Sequence, residues 1–219
     1  KINSKTDYQN ILNSTHKFIN KKNLNDFRLS IMKELNDNKK FKSFFYDICK
    51  PYVDSIVGNE LAMQKNINLS IQNPQDDSSL LDVHSDTWTG DSSYEVVVWL
   101  PLVDCYSTKS MYIMSKEQTK KYSKIIFNNK NLDASKIYNL IKKEVKWLKV
   151  NAGNVLIFNQ NLIHGNHINQ EKDTRWSLNC RFKSIFTPYA DKLIGEFFEP
   201  ITLRPASKDG MMHKLPKFK

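Results

Sequence analysis

The first third of the chain has apolar residues at intervals of three or four positions, separated mainly by lysine and asparagine. They include Ile11, Leu12, Phe18, Ile19, Phe27, Leu29, Ile31, Met32 and Leu35. This spacing puts apolar side chains on one face of a helix, so residues 1–66 are predicted to form a helical prelude. Pro51 is expected to break the helical run, with a further helix through residues 52–65.

From residue 67 onward, short runs of β-branched and aromatic residues replace that pattern. Strands are predicted in INLSIQ (67–72), YEVVVWLPLV (94–103), SMYIM (110–114) and NVLIF (154–158). Residues 174–186, TRWSLNCRFKSIF, alternate strictly between polar and apolar. The polar positions share one face of a strand and the apolar ones the other, which predicts a half-buried strand.

Two segments interrupt or follow these strands. Residues 116–146 have helical periodicity and are predicted to be a helical insertion whose end re-enters the sheet, whereas residues 188–219 are expected to form an irregular, basic extension. Short strands after a helical prelude predict a mainly β fold, a jelly-roll or barrel with flanking helices. We expect one domain with its core in residues 67–187.

The composition sets the general class of the protein. The chain has 219 residues, of which 40% are hydrophobic and 26% charged, enough for one sizeable core. Its net charge of +10 could attract an anionic partner, but the lysines are scattered and no basic stripe with interleaved aromatics is present. We therefore do not expect nucleic acid as a partner.

Cysteines and hydropathy bear on the compartment. Three cysteines far apart in sequence form neither a disulfide framework nor a CxxC pair, which favours a reducing cytoplasm. No apolar run approaches the roughly 20 residues of a membrane span, and the start of the chain lacks the apolar core of a signal peptide. The expected location is cytoplasmic, without a membrane partner.

Candidate chemistry begins in residues 80–93, LLDVHSDTWTGDSS. His84 and Asp86 are two positions apart, and in an extended segment such side chains point to the same side. The pair is predicted to present two metal ligands to one point. A lone histidine is more often a structural residue and a lone aspartate can cap a turn, so the context has to support this interpretation.

A third ligand is expected from the remaining histidines. His16 lies in the helical prelude and His213 in the C-terminal extension, which leaves residues 159–169, NQNLIHGNHIN. His164 follows two apolar residues and precedes a glycine, as at the end of a core strand, whereas His167 is expected in the turn. Two histidines and a carboxylate form the facial triad of non-haem Fe(II) oxygenases, which leaves coordination positions open.

The alternating strand supplies the next candidates. Fe(II) oxygenases of this kind consume 2-oxoglutarate, whose far carboxylate is held best by the two-pronged guanidinium of an arginine. Arg175 is predicted to bind it, and Ser177 on the same face to donate its hydroxyl to it. Arg181 on that face is a second candidate, for the cosubstrate or an acidic group of the substrate. Gln72 is predicted to hydrogen-bond the cosubstrate or orient a metal ligand.

Four aromatic residues allow two interpretations. They are Trp88, Trp99, Tyr112 and Trp176. They could form a stacking wall for a sugar, but aromatic residues on strands more often belong to the core.

The motifs HSDTWTG, VVWLPLVD followed by SMYIM, GNVLIFNQNLIHGN and TRWSLNCRFKS together resemble the Fe(II)/2-oxoglutarate-dependent oxygenases of the phytanoyl-CoA hydroxylase-like superfamily. Within it, the resemblance is to the bacterial enzymes of carbohydrate and aminoglycoside biosynthesis clusters, such as the streptomycin-cluster type. It covers about residues 67–187 and implies a double-stranded β-helix with a cupin-like core. The helical prelude, the insertion and the C-terminal extension do not align with the family.

The resemblance also implies roles for individual residues. His84, Asp86 and His164 match the iron ligands of the family. Arg175 and Ser177 match its 2-oxoglutarate clamp. The implied reaction uses dioxygen to oxidise, most simply to hydroxylate, a C–H bond of a small molecule, a sugar or an activated sugar. Asp86 makes halogenation unexpected, because the related halogenases need that ligand position vacant for chloride.

Two other functional classes fit part of the pattern. A metal-dependent jelly-roll sugar isomerase or a carbohydrate-binding module would explain the strands and histidines without redox chemistry. It gives no reason for Arg175 and Ser177 to follow the distal histidine on one strand face. A nucleic-acid demethylase or binder would use the net charge of +10 and would bind in a salt-sensitive way. The oxygenase accounts for more of the residues.

Overall fold

The computed structural model describes residues 5–129 and 131–214, so residues 1–4 of the predicted prelude and 215–219 of the predicted extension lie outside the described residues. The helices of the described part are α1 (Lys5–Asn13), α2 (Lys21–Asp37), α3 (Lys39–Val57), α4 (Lys116–Asn128), α5 (Ala134–Ile141) and α6 (Pro205–Met212). The strands are β1 (Leu61–Gln64), β2 (Asn68–Gln72), β3 (Glu95–Pro101), β4 (Tyr112–Ile113), β5 (Lys146–Trp147), β6 (Leu156–Asn159), β7 (His164–Gly165), β8 (Arg175–Ser184) and β9 (Phe198–Thr202).

The strands form two antiparallel sheets. In the larger sheet the order is β6-β3-β8-β1-β9, and β2 pairs with the first half of β8 beside β1. The smaller sheet has the order β5-β4-β7. Strands form the centre and helices lie outside them, as predicted, although the helices contain more residues than the strands. Helices α4 and α5 occupy the segment predicted as a helical insertion, and β5 returns to the smaller sheet.

Strand β8 divides the interior into an apolar side and a polar side. Trp176 and Phe182, on its apolar face, are buried against the helices: the Trp176 ring contacts Phe27 edge-on, and Phe182 packs near Tyr46. The Trp176 indole N–H donates to the carbonyl of Leu12, 3.0 Å away, which ties α1 to the sheet. The alternation predicted for residues 174–186 is found within β8. The prediction of a half-buried strand is wrong, because the polar residues Arg175, Ser177 and Lys183 are buried as well, and the polar face borders a cavity between the sheets.

Helix α2 covers the free edge of β2, which pairs with β8 on its other side only. An open strand edge exposes unpaired backbone groups that need partners. Asn36 accepts a hydrogen bond from the Ile67 N–H at 2.8 Å and donates one to the Ile67 carbonyl at 3.0 Å. Arg28 donates to the carbonyl of Leu69 at 3.3 Å. Side chains of the helix thereby replace part of a missing neighbouring strand.

The predicted break at Pro51 and the predicted helix through residue 65 are wrong. Helix α3 continues through Pro51 to Val57, since the burial of Phe45, Cys49 and Val53 on one face outweighs the roughly 3 kcal/mol that an internal proline costs. Residues 61–64 form β1 instead of a helix end. All four residues are buried, so their pattern lacks the alternation of a half-exposed strand. The spacing of apolar residues therefore cannot distinguish this segment from a helix.

The irregular extension predicted for residues 188–219 is also wrong for residues 198–212. Strand β9 pairs antiparallel with β1, and α6 follows it. Buried and exposed residues do not alternate along β9, so the sequence pattern does not indicate a strand. Phe198 is nevertheless completely buried. In the described part of the chain, no helix is both long and apolar enough to cross a membrane.

We predict that Phe198→Ala destabilises the protein by about 3 to 5 kcal/mol, because it leaves a cavity in the core beside β1. Phe186→Ala is the matched control, since Phe186 is 69% exposed and should cost less than about 0.5 kcal/mol. Urea denaturation measures both. Equal effects of the two substitutions would show that β9 is not part of the cooperative core.

Candidate active site

The two central histidines are brought together by the backbone. His84 and His164 form an antiparallel bridge, in which the His84 N–H donates to the His164 carbonyl at 3.0 Å and the His164 N–H donates back at 2.8 Å. The chain is extended through Ser85, and a short 3-10 turn begins at Asp86, whose N–H donates to the carbonyl of Gln160. The predicted extended geometry therefore holds up to Ser85 and ends in a turn at the aspartate.

His84, Asp86 and His164 form a cluster whose potential ligand atoms lie within 4.8 Å of one another. Asp86 Oδ1 is 3.4 Å from His84 Nε2 and 3.9 Å from His164 Nε2. The Nδ1 atom of each histidine faces a backbone carbonyl two residues earlier, at 2.6 Å for His84 and 2.8 Å for His164. A carbonyl can only accept, so each Nδ1 carries a proton, and when the ring is neutral its Nε2 lone pair is directed to the cluster, as metal binding requires.

Burial and charge shift the pKa values of this cluster in different directions. Burial and the neighbouring His84 lower the pKa of His164 to about 4, which keeps its imidazole neutral. Burial alone would lower the pKa of His84, but the bonds to Asp86 and to the Asp82 carbonyl outweigh it and the net pKa is raised. Burial opposes ionisation of Asp86, yet its hydrogen bond with His84 and the positive charge of Arg181 hold its pKa below the ordinary value.

The cluster opens into a cavity of about 170 Å³ between the two sheets. Arg175 and Ser177 from β8 line it, with Ser70 from the neighbouring β2. Apolar side chains complete the wall near the histidines: Val97, Trp99, Met111 and Phe158. Phe158 contacts the His164 ring edge-on, with the ring centroids 5.1 Å apart. The structure thus brings the predicted metal ligands and two of the predicted cosubstrate residues, Arg175 and Ser177, to one cavity.

Arg175 is a buried cation without a carboxylate partner among the described residues. Its side chain donates to the Ser110 carbonyl at 3.1 Å and to Ser70 Oγ at 3.0 Å, whereas its Nε has no hydrogen-bond partner there. Burial lowers the pKa of this guanidinium. An unpaired charge in the interior is costly, and an anion in the cavity would remove that cost.

Arg181 lines the cavity, but its guanidinium is engaged by two carboxylates. One terminal nitrogen lies 2.9 Å from Asp86 Oδ1, and Nε lies 3.1 Å from Asp91 Oδ1, at an angle that makes an ion pair but no hydrogen bond. Asp91 also pairs with Lys192. Arg181 therefore supports a predicted metal ligand in this structure. Asp91 was not foreseen, although it lies only five residues beyond Asp86.

Other predicted residues lie elsewhere. Gln72 is buried beside Arg175 in the sheet register, but its amide donates to the His167 carbonyl at 2.7 Å and it does not line the cavity. His167 stacks on Tyr138 in the insertion. Of the four aromatic candidates, Trp99 lines the cavity, whereas Trp176 belongs to the core.

Comparison with protein-family models and with curated protein sequences finds no match. Among solved structures, the chain is similar to HygX from Streptomyces hygroscopicus with nickel and 2-oxoglutarate bound, with a TM-score of 0.52, 13% identity, and coverage of 78% of this chain and 81% of HygX. Apo HygX gives a TM-score of 0.51 at 13% identity, with 78% and 80% covered. A nickel complex of ThoJ, a non-haem monooxygenase, gives 0.49 at 17% identity.

The ThoJ match covers 71% of this chain, which spans only 56% of the length of ThoJ. At these identities the likeness to HygX shows a shared fold. In this chain that fold holds a His-Asp-His cluster in its cavity.

We predict that Arg181→Met lowers the unfolding free energy of the metal-free protein by about 3 kcal/mol, because Asp86 loses its cationic partner in a buried setting. Arg204→Met, an exposed position, is the control. The pKa of Asp86 is lowered on folding, so its contribution is present above the unfolded value of about 4 and is lost as the pH falls. Denaturation between neutral and acidic pH should show the difference between the variant and the wild type shrinking. A difference that is absent at neutral pH would contradict the role of the pair.

Proposed function

We propose that the chain is an Fe(II)/2-oxoglutarate-dependent dioxygenase that hydroxylates a C–H bond of a small, carbohydrate-derived molecule. The observation that carries the proposal is the juxtaposition, in one cavity, of a His-Asp-His cluster and a buried arginine that has no carboxylate partner among the residues the structure describes. Neither feature alone is specific. Together they match the two needs of this chemistry, a metal with open positions and an anchor for a dicarboxylate.

The donor set fits Fe(II). His84 and His164 would bind through Nε2 and Asp86 through its carboxylate, since both Nδ1 protons are already held by backbone carbonyls. Two imidazoles and one carboxylate are the ligand set of the facial triad. When bound together, Fe(II) and 2-oxoglutarate would supply the oxidation of a C–H bond by dioxygen, with release of succinate and carbon dioxide.

Arg175 and Ser177 are proposed to hold the far carboxylate of 2-oxoglutarate. Hydrogen bonds to Ser110 and Ser70 fix the conformation of the Arg175 side chain. The remaining N–H donors of its guanidinium therefore have a fixed orientation. Ser177 lies two residues along the same strand face, 1% exposed. A fixed guanidinium can bind a carboxylate through two parallel hydrogen bonds. Gln72, which lies outside the cavity lining, is not part of this proposed clamp.

Hydroxylation of a hydroxyl-rich molecule is supported by the rest of the lining. Val97, Trp99 and Phe158 form an apolar part of the cavity lining. Asn68 and Asn179 stand at another part of the wall, joined by a hydrogen bond of 3.1 Å, and can exchange hydrogen bonds with substrate hydroxyls. All three cysteines are buried free thiols, which fits the proposed cytoplasmic location.

The first test is the visible spectrum of the protein after anaerobic addition of Fe(II) and then 2-oxoglutarate. Wild type should develop a weak charge-transfer band, which His84→Ala abolishes. Arg175→Lys keeps the charge but loses the two-pronged contact, so it should need at least tenfold more 2-oxoglutarate for the same band. Lys149→Arg, at an exposed site, should titrate as wild type.

A protein that binds metal tightly through His84 yet gives no band with 2-oxoglutarate would contradict the oxygenase. It would favour a non-oxidative, metal-dependent jelly-roll protein. Metal affinity is therefore measured separately, by competition with a chromophoric chelator.

A second test concerns the outcome for the substrate. With labelled dioxygen and a turned-over substrate, hydroxylation should place one labelled oxygen atom in the product and one in succinate, as mass spectrometry can determine. A product without label, together with labelled succinate, would point instead to desaturation or ring closure when the product is oxidised, and to epimerisation when it is an isomer of the substrate. A binding protein would release no succinate above the level of His84→Ala.

A further inference from the structure

A groove runs along the outside of the cavity, between α2 and residues 78–81, and is called the α2 groove here. It has a volume of about 370 Å³, and its lining includes Lys21, Asn25 and Arg28 from the helix. Four residues line both the groove and the active-site cavity: Asn68, Ser70, Leu81 and Asn179. The two spaces therefore lie side by side and share a wall.

The α2 groove has a positive lining. Lys21 and Arg28 are the charged residues among those that line it, and no acidic residue does so in the described part of the chain. Lys21 is already paired with Asp77 outside the groove. Arg28 has no carboxylate partner among the described residues, and it is half-buried, so solvent screens its charge incompletely. Its charge is thus available to a ligand in the groove.

Arg28 is held in place by neutral partners. One terminal nitrogen donates to the Leu69 carbonyl at 3.3 Å, and the other donates to Asn25 Oδ1 at 2.8 Å. A guanidinium has five N–H donors, so several remain for a ligand. Arg175 bonds to Ser70, the next residue of β2. The two arginines are therefore anchored to adjacent residues of one strand, one at the groove and one in the cavity.

The remaining polar lining of the groove is neutral and able to bind hydroxyl groups. Asn25, Ser78 and Ser79 offer amide and hydroxyl groups on the outer side, and Asn68 and Asn179 offer them on the inner side. Leu81, 51% exposed, stands between the two spaces. A positive residue at the groove and neutral hydrogen-bonding groups along it suit a polyhydroxylated molecule with one anionic end.

We propose that the α2 groove binds the phosphate group of a phosphorylated, hydroxyl-rich substrate, with Arg28 as the residue that selects it, while the rest of the molecule reaches past Leu81 towards the metal ligands. This inference rests on the proposed oxygenase function and names its substrate class. A positively charged substrate of similar size is disfavoured by the same lining.

The test uses three hexoses that share one ring and differ in charge: glucose 6-phosphate, glucose and glucosamine. Titration calorimetry on the full chain should show binding of glucose 6-phosphate, with glucose and glucosamine at least tenfold weaker. Arg28→Gln should weaken glucose 6-phosphate by about tenfold, the effect expected from losing a charge-assisted hydrogen bond. UDP-glucose, with its phosphates inside a nucleotide, shows whether a phosphate ester within a larger carrier binds as well.

Two further variants separate recognition from structure. Asn25→Asp keeps the shape and the contact with Arg28 but puts a carboxylate beside it, so it should weaken glucose 6-phosphate as Arg28→Gln does, without disturbing the bond to Leu69. Lys22→Gln removes the same unit of charge from an exposed position of α2 outside the groove lining and should bind as wild type.

Three results would overturn the inference. The first is equal affinity for glucose 6-phosphate in wild type, Arg28→Gln and Asn25→Asp. The second is an equal loss of affinity in Lys22→Gln, which would mean attraction by net charge alone. The third is no binding of glucose 6-phosphate at millimolar concentration. The anaerobic spectrum with Fe(II) and 2-oxoglutarate reports on the proposed function independently. A normal band without phosphate selectivity would refute only the inference, whereas selectivity without a band would refute the oxygenase.

Discussion

The two-residue period of β8 constrains the rest of this structure. This strand of ten residues has polar side chains on one face and apolar side chains on the other, so each face needs a different environment in the folded protein. Helices α1, α2 and α3 bury the apolar face, where Trp176 and Phe182 lie. The polar face cannot be buried against apolar residues without cost, and it lines the cavity instead. The position of the candidate site thus follows from the same alternation that creates the core.

Charges in the cavity are balanced in pairs except at one place. Asp86 is matched by Arg181, and Arg181 is shared with Asp91, which pairs in turn with Lys192. This series fixes the carboxylate that we assign to the metal, because each member is held by the next. Arg175 stands outside it, held only by neutral oxygens. Since a buried guanidinium is stabilised by an anion, this arginine is the basis of our proposal that a carboxylate binds at that point.

Local patterns in the sequence predicted the parts of the molecule that depend on local geometry. The alternation of β8 follows from side-chain direction in an extended chain, and the short strands follow from their composition. The continuation of α3 through Pro51 could not be predicted, because it depends on what the helix packs against. The strand at residues 198–202 depends likewise on β1, a distant partner with no sequence signal.

Arg181 shows the same limit within the site. Its place on the polar face was predictable, but its partner depends on where Asp91 is carried by the turn after Asp86. From the sequence alone, Arg175 was the first candidate for the carboxylate of 2-oxoglutarate and Arg181 the second. The tertiary structure distinguishes them, since Arg181 is neutralised by acidic residues and Arg175 has no acidic partner within residues 5–129 and 131–214.

Helix α2 connects stability with substrate access. Asn36 and Arg28 complete the hydrogen bonds at the open edge of β2, so this helix is needed to keep the strand that carries Ser70 in place. The same helix forms one wall of the α2 groove. A substitution in the groove preserves the hydrogen bonding at the edge of β2 only if the bonds from the helix to Ile67 and Leu69 remain. Asn25 is free of this requirement, because it contacts the Arg28 side chain and not the strand edge. Variation in substrate preference among chains with this fold is therefore expected at positions such as Asn25 more than at Asn36, where a change would also open the sheet.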